Sequence, residues 1–239
     1  KAVRGGPEAI SWKEFSAMGH GITPEYVPYE KDTCCVMAHT GGTTGFPKGV
    51  ILTNDSMNAV AFNFIHAGIV HERGQRFLGI MPIFSSYGLV CGIHMPLTMG
   101  FELALIPRFY PLKMGEYVKK YRPEHMIATP AFYEILIDSR EMKNFDLSFM
   151  LTMGSGGDTM NAGTEAKLNG FLKDHGSRFP LSQGYGMSEV SSAGSCYCNG
   201  NFRSLSVGYP LLMNTISIFK PETTDKKVAN ATAIAGARK

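Results

Sequence analysis

Thr40-Gly41-Gly42-Thr43-Thr44-Gly45-Phe46-Pro47-Lys48-Gly49, set between the apolar β-rich runs 33–38 and 50–53, decides how this chain is read. Gly41, Gly42 and Gly45 let successive backbone N–H groups converge on one spot, the geometry of an anion nest. Three threonine hydroxyls and the Lys48 ammonium add donors for several phosphate oxygens at once, so polyphosphate is the matching ligand. A Gly/Thr cluster between strands also serves as a plain turn, and the residues alone leave both readings open. A Walker A loop is excluded: Gly-x4-Gly-Lys-Ser/Thr has no match, and the β-branched run 50–53 follows where a helix would have to open. The loop therefore joins two strands.

Outward from this hairpin, short apolar runs at 77–81, 102–106, 125–128, 150–153 and 216–219 read as further strands. Helices are expected between them at 54–69, starting on an Asn cap, at 112–121 after Pro111, at 130–140 with Pro in the first turn, and at 161–175 before Gly176. Strand and helix alternation of this kind predicts an α/β fold: a largely parallel β-sheet flanked by helices. Residues 1–31 are loop-rich, with a short helix expected around 12–18. Residues 220–239 are polar and Ala/Thr-rich, and both ends read as poorly anchored segments around an α/β domain at 32–219.

Composition narrows the function classes. Of 239 residues 44% are hydrophobic and 18% charged, enough for a sizeable core, and the formal charge of +3 is too spread out for a nucleic-acid-binding face. Residues 77–101 contain no Asp, Glu, Lys or Arg and are long enough to span a bilayer. Pro82, Pro96, four glycines and Ser85-Ser86 instead divide them into a buried strand, a turn and a buried helix, so no transmembrane segment is expected. Cys34, Cys35, Cys91, Cys196 and Cys198 form no metal-spaced set and suit reduced thiols in a cytoplasmic protein.

Two more glycine-rich segments carry chemistry. Gly154-Ser155-Gly156-Gly157-Asp158-Thr159-Met160 is a strand-to-helix turn that fails as a dinucleotide fingerprint, because Thr159 occupies the third glycine position. In Gln183-Gly184-Tyr185-Gly186-Met187-Ser188-Glu189, glycines on both sides of Tyr185 let a flat ligand approach its ring. Ser188 and Glu189 supply a hydroxyl and a hard carboxylate, suited to a phosphate and its Mg²⁺. A hydrolase nucleophile elbow is excluded by Val190, where Gly-x-Ser-x-Gly needs glycine.

Together these segments resemble the adenylate-forming superfamily, which includes acyl-CoA synthetases, nonribosomal peptide adenylation domains and luciferases. Residues 40–49 are similar to its Ser/Thr-Ser-Gly-Thr-Thr-Gly-x-Pro-Lys-Gly loop, with Gly41 in place of a hydroxyl residue. Residues 184–189 resemble its Gly-Tyr-Gly-x-Thr-Glu motif, with Ser188 for Thr. Residues 206–210 resemble its Ser-Val-Gly-x-Pro turn. Met81-Pro82-Ile83-Phe84-Ser85-Ser86-Tyr87-Gly88 is a weaker match to Pro-x-Phe-His, with Ser85 where His is usual.

The resemblance implies ATP-dependent activation of a carboxylic acid to an acyl-adenylate, then transfer to coenzyme A. It implies catalytic roles for Thr43, Lys48, Ser188 and Glu189, with Glu189 on Mg²⁺. Nucleotide contacts would come from Thr40, Gly41, Gly42, Thr43, Thr44, Gly45, Lys48, Gly156, Gly157, Asp158, Gln183, Gly184, Tyr185 and Ser188. Phe84, Tyr87, Gly186 and Met187 would face the acyl group, and their apolar character favours a fatty or aryl acid over an amino acid. The family's ribose-gripping aspartate motif and its small C-terminal domain are not found after Pro221. The chain is therefore expected to be an internal piece of the large domain, weakly active or inactive alone. The alternative is a non-catalytic nucleotide-binding or interaction module.

Overall fold

A computed structural model describes residues 10–40, 48–197, 202–219 and the backbone of Lys227–Asn230. The chain divides into two units, Lys1–Glu30 and Lys31–Lys239. In the first, α1 (Trp12–Met18) begins at a reciprocal cap: Ser11 Oγ accepts from Glu14 N at 3.2 Å and Glu14 Oε2 accepts from Ser11 N at 2.8 Å.

The second unit opens with the antiparallel hairpin β1 (Cys34–Thr40) and β2 (Lys48–Thr53), in which Thr40 lies opposite Lys48. The two strands predicted on either side of the loop are present and paired, and residues 41–47, with them Gly41, Gly42, Thr43, Thr44 and Gly45, lie outside the described residues. Helix α2 (Asn54–His66) follows at once. Its cap is Thr53 rather than Asn54, because the Thr53 hydroxyl accepts from Ser56 N at 3.1 Å while Ser56 Oγ accepts from Thr53 N at 3.0 Å. It stops short of residue 69, where Gly68 turns left-handed (φ 83°).

A seven-stranded sheet forms the body: β3 (Arg76–Gly79), β4 (Glu102–Leu105), β5 (His125–Ala128), β6 (Thr152–Ser155), β7 (Ser182–Tyr185), β8 (Ser195–Cys196) and β9 (Tyr209–Pro210), in the order β4-β3-β5-β6-β7-β8-β9. Pairing is parallel from β4 to β7 and antiparallel beyond it. Strands β7 to β9 escape a reading based on apolar runs, since they are two to four residues long and contain no apolar run. Separately, β10 (Ser217–Phe219) pairs with β11 (Lys227–Asn230), inside the stretch read as a polar tail.

Alternation along the strands sends side chains to two faces. Leu78, Met126, Ala128 and Met153 pack with α4 (Met114–Tyr121), α5 (Pro130–Ile137) and α6 (Ala162–Asp174) through Val118, Tyr133, Leu136 and Leu168. Each buried Leu, Met or Val among them contributes roughly 1.5–3 kcal/mol. The opposite face is covered by α2 and by a π-helix, Tyr87–His94, that runs into α3 (Met95–Met99). Residues 77–101 thus form the expected strand, turn and helix, and the helix is mostly of the wide π type often found at functional sites. Gly88, its second residue, admits no side chain, because a Cβ there would fall 2.0 Å from the Pro82 carbonyl oxygen. No helix among the described residues is long and apolar enough to cross a membrane.

Candidate functional site

A cavity of about 250 Å³ lies between the sheet and the layer of α2, the π-helix and α3. Its lining runs from the carboxyl ends of β6 and β7, where Gly157, Tyr185 and Met187 are exposed, down to Phe77, Phe101 and His125, which are buried. Ligands of open α/β sheets bind at this carboxyl edge. Mouth and floor are chemically unlike.

At the mouth the structure brings together Gly156, Gly157, Gly184, Tyr185, Gly186, Met187 and Ser188. Tyr185 is half exposed between two glycines. Gly186 admits no side chain: a Cβ would sit 1.4 Å from the Ser192 carbonyl oxygen. Ser192 itself holds φ at 93°, a left-handed value that costs a non-glycine residue of order 1–3 kcal/mol. Its hydroxyl lies 3.2 Å from the buried Cys91 thiol, whose pKa burial pushes up to about 11. Ser188 Oγ is 3.0 Å from Ser86 Oγ, which ties the 184–189 motif to the turn before the π-helix.

Other motif residues stand differently. Lys48 is exposed at the end of the hairpin next to the connection between its strands, paired with Thr40. Gln183 turns its amide to the buried Glu165 carboxylate, which also holds Ser204 Oγ and Leu205 N. Asp158 is exposed, accepts from Thr159 N at 2.7 Å and does not line the cavity. Phe84 is 82% exposed and likewise outside the cavity, so the structure does not bring it to the other acyl-side candidates. Tyr87 does line the wall. Burial and the nearby Cys91 raise its phenol well above the ordinary value, and its hydroxyl reaches toward the Ala128 carbonyl at 3.5 Å.

The floor was not visible in the motifs. His125 and Ile127 of β5 and Thr152 of β6 line it, together with Phe101 and Met99 from the covering layer. Gln75 Oε1 accepts from Glu72 N at 2.8 Å and also lies 2.8 Å from His125 Nε2, so Nε2 carries the imidazole proton. Burial first, and the proximity of His71 second, push the His125 pKa down to about 4. Its ring packs tilted against Phe101, with centroids 4.5 Å apart. The period-two pattern of 125–128 was the available signal, but it does not say which face borders a cavity.

Among the described residues no three His, Cys, Asp or Glu side chains cluster as a self-sufficient metal site. Glu189 is a single exposed carboxylate beside the Ser188 hydroxyl. That donor set fits Mg²⁺, which keeps several waters and binds through one or two carboxylates plus substrate phosphates.

A family profile described as AMP-binding enzyme matches residues 4–232. The long-chain-fatty-acid–CoA ligase of Bacillus subtilis (strain 168) is 32% identical over 192 residues, covering 79% of this chain and 33% of that protein. The probable 4-coumarate–CoA ligase 1 of Dictyostelium discoideum is 28% identical over 196 residues, 81% of this chain and 35% of that protein. The chain thus spans about a third of the length of these curated relatives. Among solved structures, ATP-bound MatB from Rhodopseudomonas palustris superposes with a TM-score of 0.75 at 20% identity, over 90% of this chain and 41% of that one, a likeness of fold.

Proposed function

Since this chain belongs to the AMP-binding enzyme family, we propose that it serves ATP-dependent activation of a fatty or aryl acid to an acyl-adenylate, followed by thioester formation with coenzyme A. The observation that carries this reading is a cavity that joins a glycine- and tyrosine-lined mouth to a buried, largely apolar floor. A flat base and a phosphate suit the first, and an acyl group suits the second.

In the reaction a carboxylate oxygen attacks the α-phosphorus of ATP, the bond to the bridging oxygen breaks, and pyrophosphate leaves. The coenzyme A thiolate then attacks the acyl carbon and AMP departs. The first step brings two anions together, so alignment and charge neutralisation carry the catalysis. Lys48 and the adjoining loop, with Thr40, Thr43 and Thr44, would hold the β- and γ-phosphates. Tyr185 would stack on adenine, with Gly184 and Gly186 giving the clearance. The Ser188 hydroxyl would donate to a phosphate oxygen, and its Ser86 partner would keep it at the mouth. Glu189 would hold Mg²⁺, which when bound supplies positive charge at the phosphates. Gly156 and Tyr87 would wall the passage between nucleotide and acid. A cytoplasmic setting is part of the same proposal.

Calorimetric titration of ATP with Mg²⁺ into the wild-type chain and Lys48→Ala tests it. A charge-assisted phosphate contact is worth about 1.5–3 kcal/mol, so the variant should bind roughly 10- to 100-fold more weakly. Absent heat in both, or equal affinity, would contradict the reading and leave the glycine-rich loop a structural turn.

A further inference from the structure

Outside the cavity, the start of the β1–β2 hairpin breaks the alternation of side chains that a strand imposes. Adjacent residues of a regular strand point to opposite faces. From Val36 to Thr40 the two strands pair residue for residue, Val36 opposite Leu52 and Met37 opposite Ile51, but Cys34 lies opposite Thr53, so Cys35 is the extra residue of a β-bulge. The inner face of the hairpin is fixed by Val36, Ala38, Val50 and Leu52, which pack in the cluster that holds Val90 and Cys91. Cys35 precedes the inward Val36 and therefore faces out. Cys34 is paired with Thr53, which follows the inward Leu52 and also faces out, and directly opposed residues share a face. Burial agrees, since Cys34 and Cys35 are both exposed before the alternation resumes at Val36, Met37 and Ala38. The bulge thus sets two adjacent thiols side by side on one face.

Two neighbouring thiols make a soft donor set of two. The groups around them do not enlarge it: the Thr53 hydroxyl accepts from Ser56 N at the helix cap, and an Asp55 carboxylate oxygen accepts from Asp32 N at 3.0 Å. Among the described residues no third His, Cys, Asp or Glu joins the pair. A structural Zn²⁺ takes four ligands, and Mg²⁺ and Ca²⁺ take oxygens. Thiolates without such partners suit Cu(I). Cys91 and Cys196 are free but buried, so of the described cysteines only Cys34 and Cys35 are open to solvent.

We propose that Cys34 and Cys35 form a binding site for a soft, thiophilic ion of low coordination number, Cu(I), on the outer face of the hairpin. Binding breaks two S–H bonds, forms two S–Cu bonds and releases two protons, with no change of oxidation state. The site lies at the end of the hairpin away from Thr40 and Lys48, and on the face opposite the one that packs with Val90 and Cys91. The inference therefore stands apart from the acid-activating reading above.

The test is anaerobic titration of the reduced chain with Cu(I) in competition with the chelator bathocuproine disulfonate, repeated on Cys34→Ser and Cys35→Ser. Wild type should hold one Cu(I) per chain, and each variant should bind it roughly 100-fold more weakly or worse, since even an outer partner of a metal site is worth about 10- to 100-fold. Both variants should keep the wild-type urea midpoint, because the side chains are exposed, so a lost site is not a lost fold. Phenylarsine oxide checks the thiol pair on the wild-type chain without a metal: it forms two As–S bonds, and its oxygen leaves as water with the two thiol protons. The adduct should map by mass spectrometry to the peptide that contains both Cys34 and Cys35, and a dithiol but not a monothiol should remove it. No Cu(I) retained by wild type, an affinity unchanged in either variant, or an arsenical adduct found only on other cysteines would overturn the inference.

Discussion

At its mouth the cavity is built largely of backbone: Gly156, Gly157, Gly184 and Gly186 leave room for a ligand to lie against the main chain, with the Tyr185 ring between the last two. At its floor the cavity is built of side chains, Phe77, His125, Ile127 and Thr152, that alternate along three separate strands. Backbone geometry tolerates little change, which suits a ligand that is always the same, such as a nucleotide. Side chains can be exchanged without moving the strands, which suits a ligand that differs from one enzyme to the next, such as an acid. The mouth should therefore fail abruptly on substitution and the floor should respond by degrees.

Gly186→Val should have the largest effect. Its Cβ would meet the Ser192 carbonyl oxygen and carbon, at 1.4 and 2.5 Å, both backbone atoms that cannot swing away. A stability loss of about 3 kcal/mol or more is expected by urea titration, with loss of ATP binding. A variant that unfolds like wild type would remove the contrast.

At the floor, His125 should make stability depend on pH. The unfolded imidazole protonates near 6.5, while the folded one stays neutral to about 4. Between these values the unfolded chain binds more protons, so stability rises with pH across the window and is lost as pH falls through it. The difference amounts to about 3 kcal/mol at most. His125→Phe, which keeps a ring packed against Phe101, should flatten that part of a pH series of urea midpoints, and an unchanged slope would show that the imidazole titrates normally.

Tyr185→Ala should weaken ATP binding by about 1–3 kcal/mol through lost stacking, while Tyr185→Phe should bind as wild type does. An equal loss in both would assign the effect to the hydroxyl instead. The smallest effect is expected for Phe84→Ala: this ring is exposed and away from the cavity, so stability should stay within about 0.5 kcal/mol and octanoate affinity should not change.

The same contrast explains what could be read from the chain alone. The hairpin of β1 and β2, and helix α6 with its Asn161 cap accepting from Thr164 N at 2.9 Å, declare themselves locally through β-branched runs, caps and a following glycine. The mouth is equally legible, since Gly184 to Glu189 are consecutive and their chemistry is written in one line of sequence. The floor is not. His125 and Thr152 fall in runs readable as strands, yet their meeting depends on parallel register between strands separated by a helix, which no local pattern states. Phe84 shows the converse: it sits next to residues of the site in sequence, but the turn before the π-helix points it outward.

The central claim is that mouth and floor belong to one continuous cavity holding nucleotide and acid end to end. The most direct test is competition by a sulfamoyl analogue of octanoyl-adenylate, measured against bound ATP and, separately, against bound octanoate. The account predicts that the analogue displaces both. Displacement of ATP alone, with octanoate binding undisturbed, would contradict it.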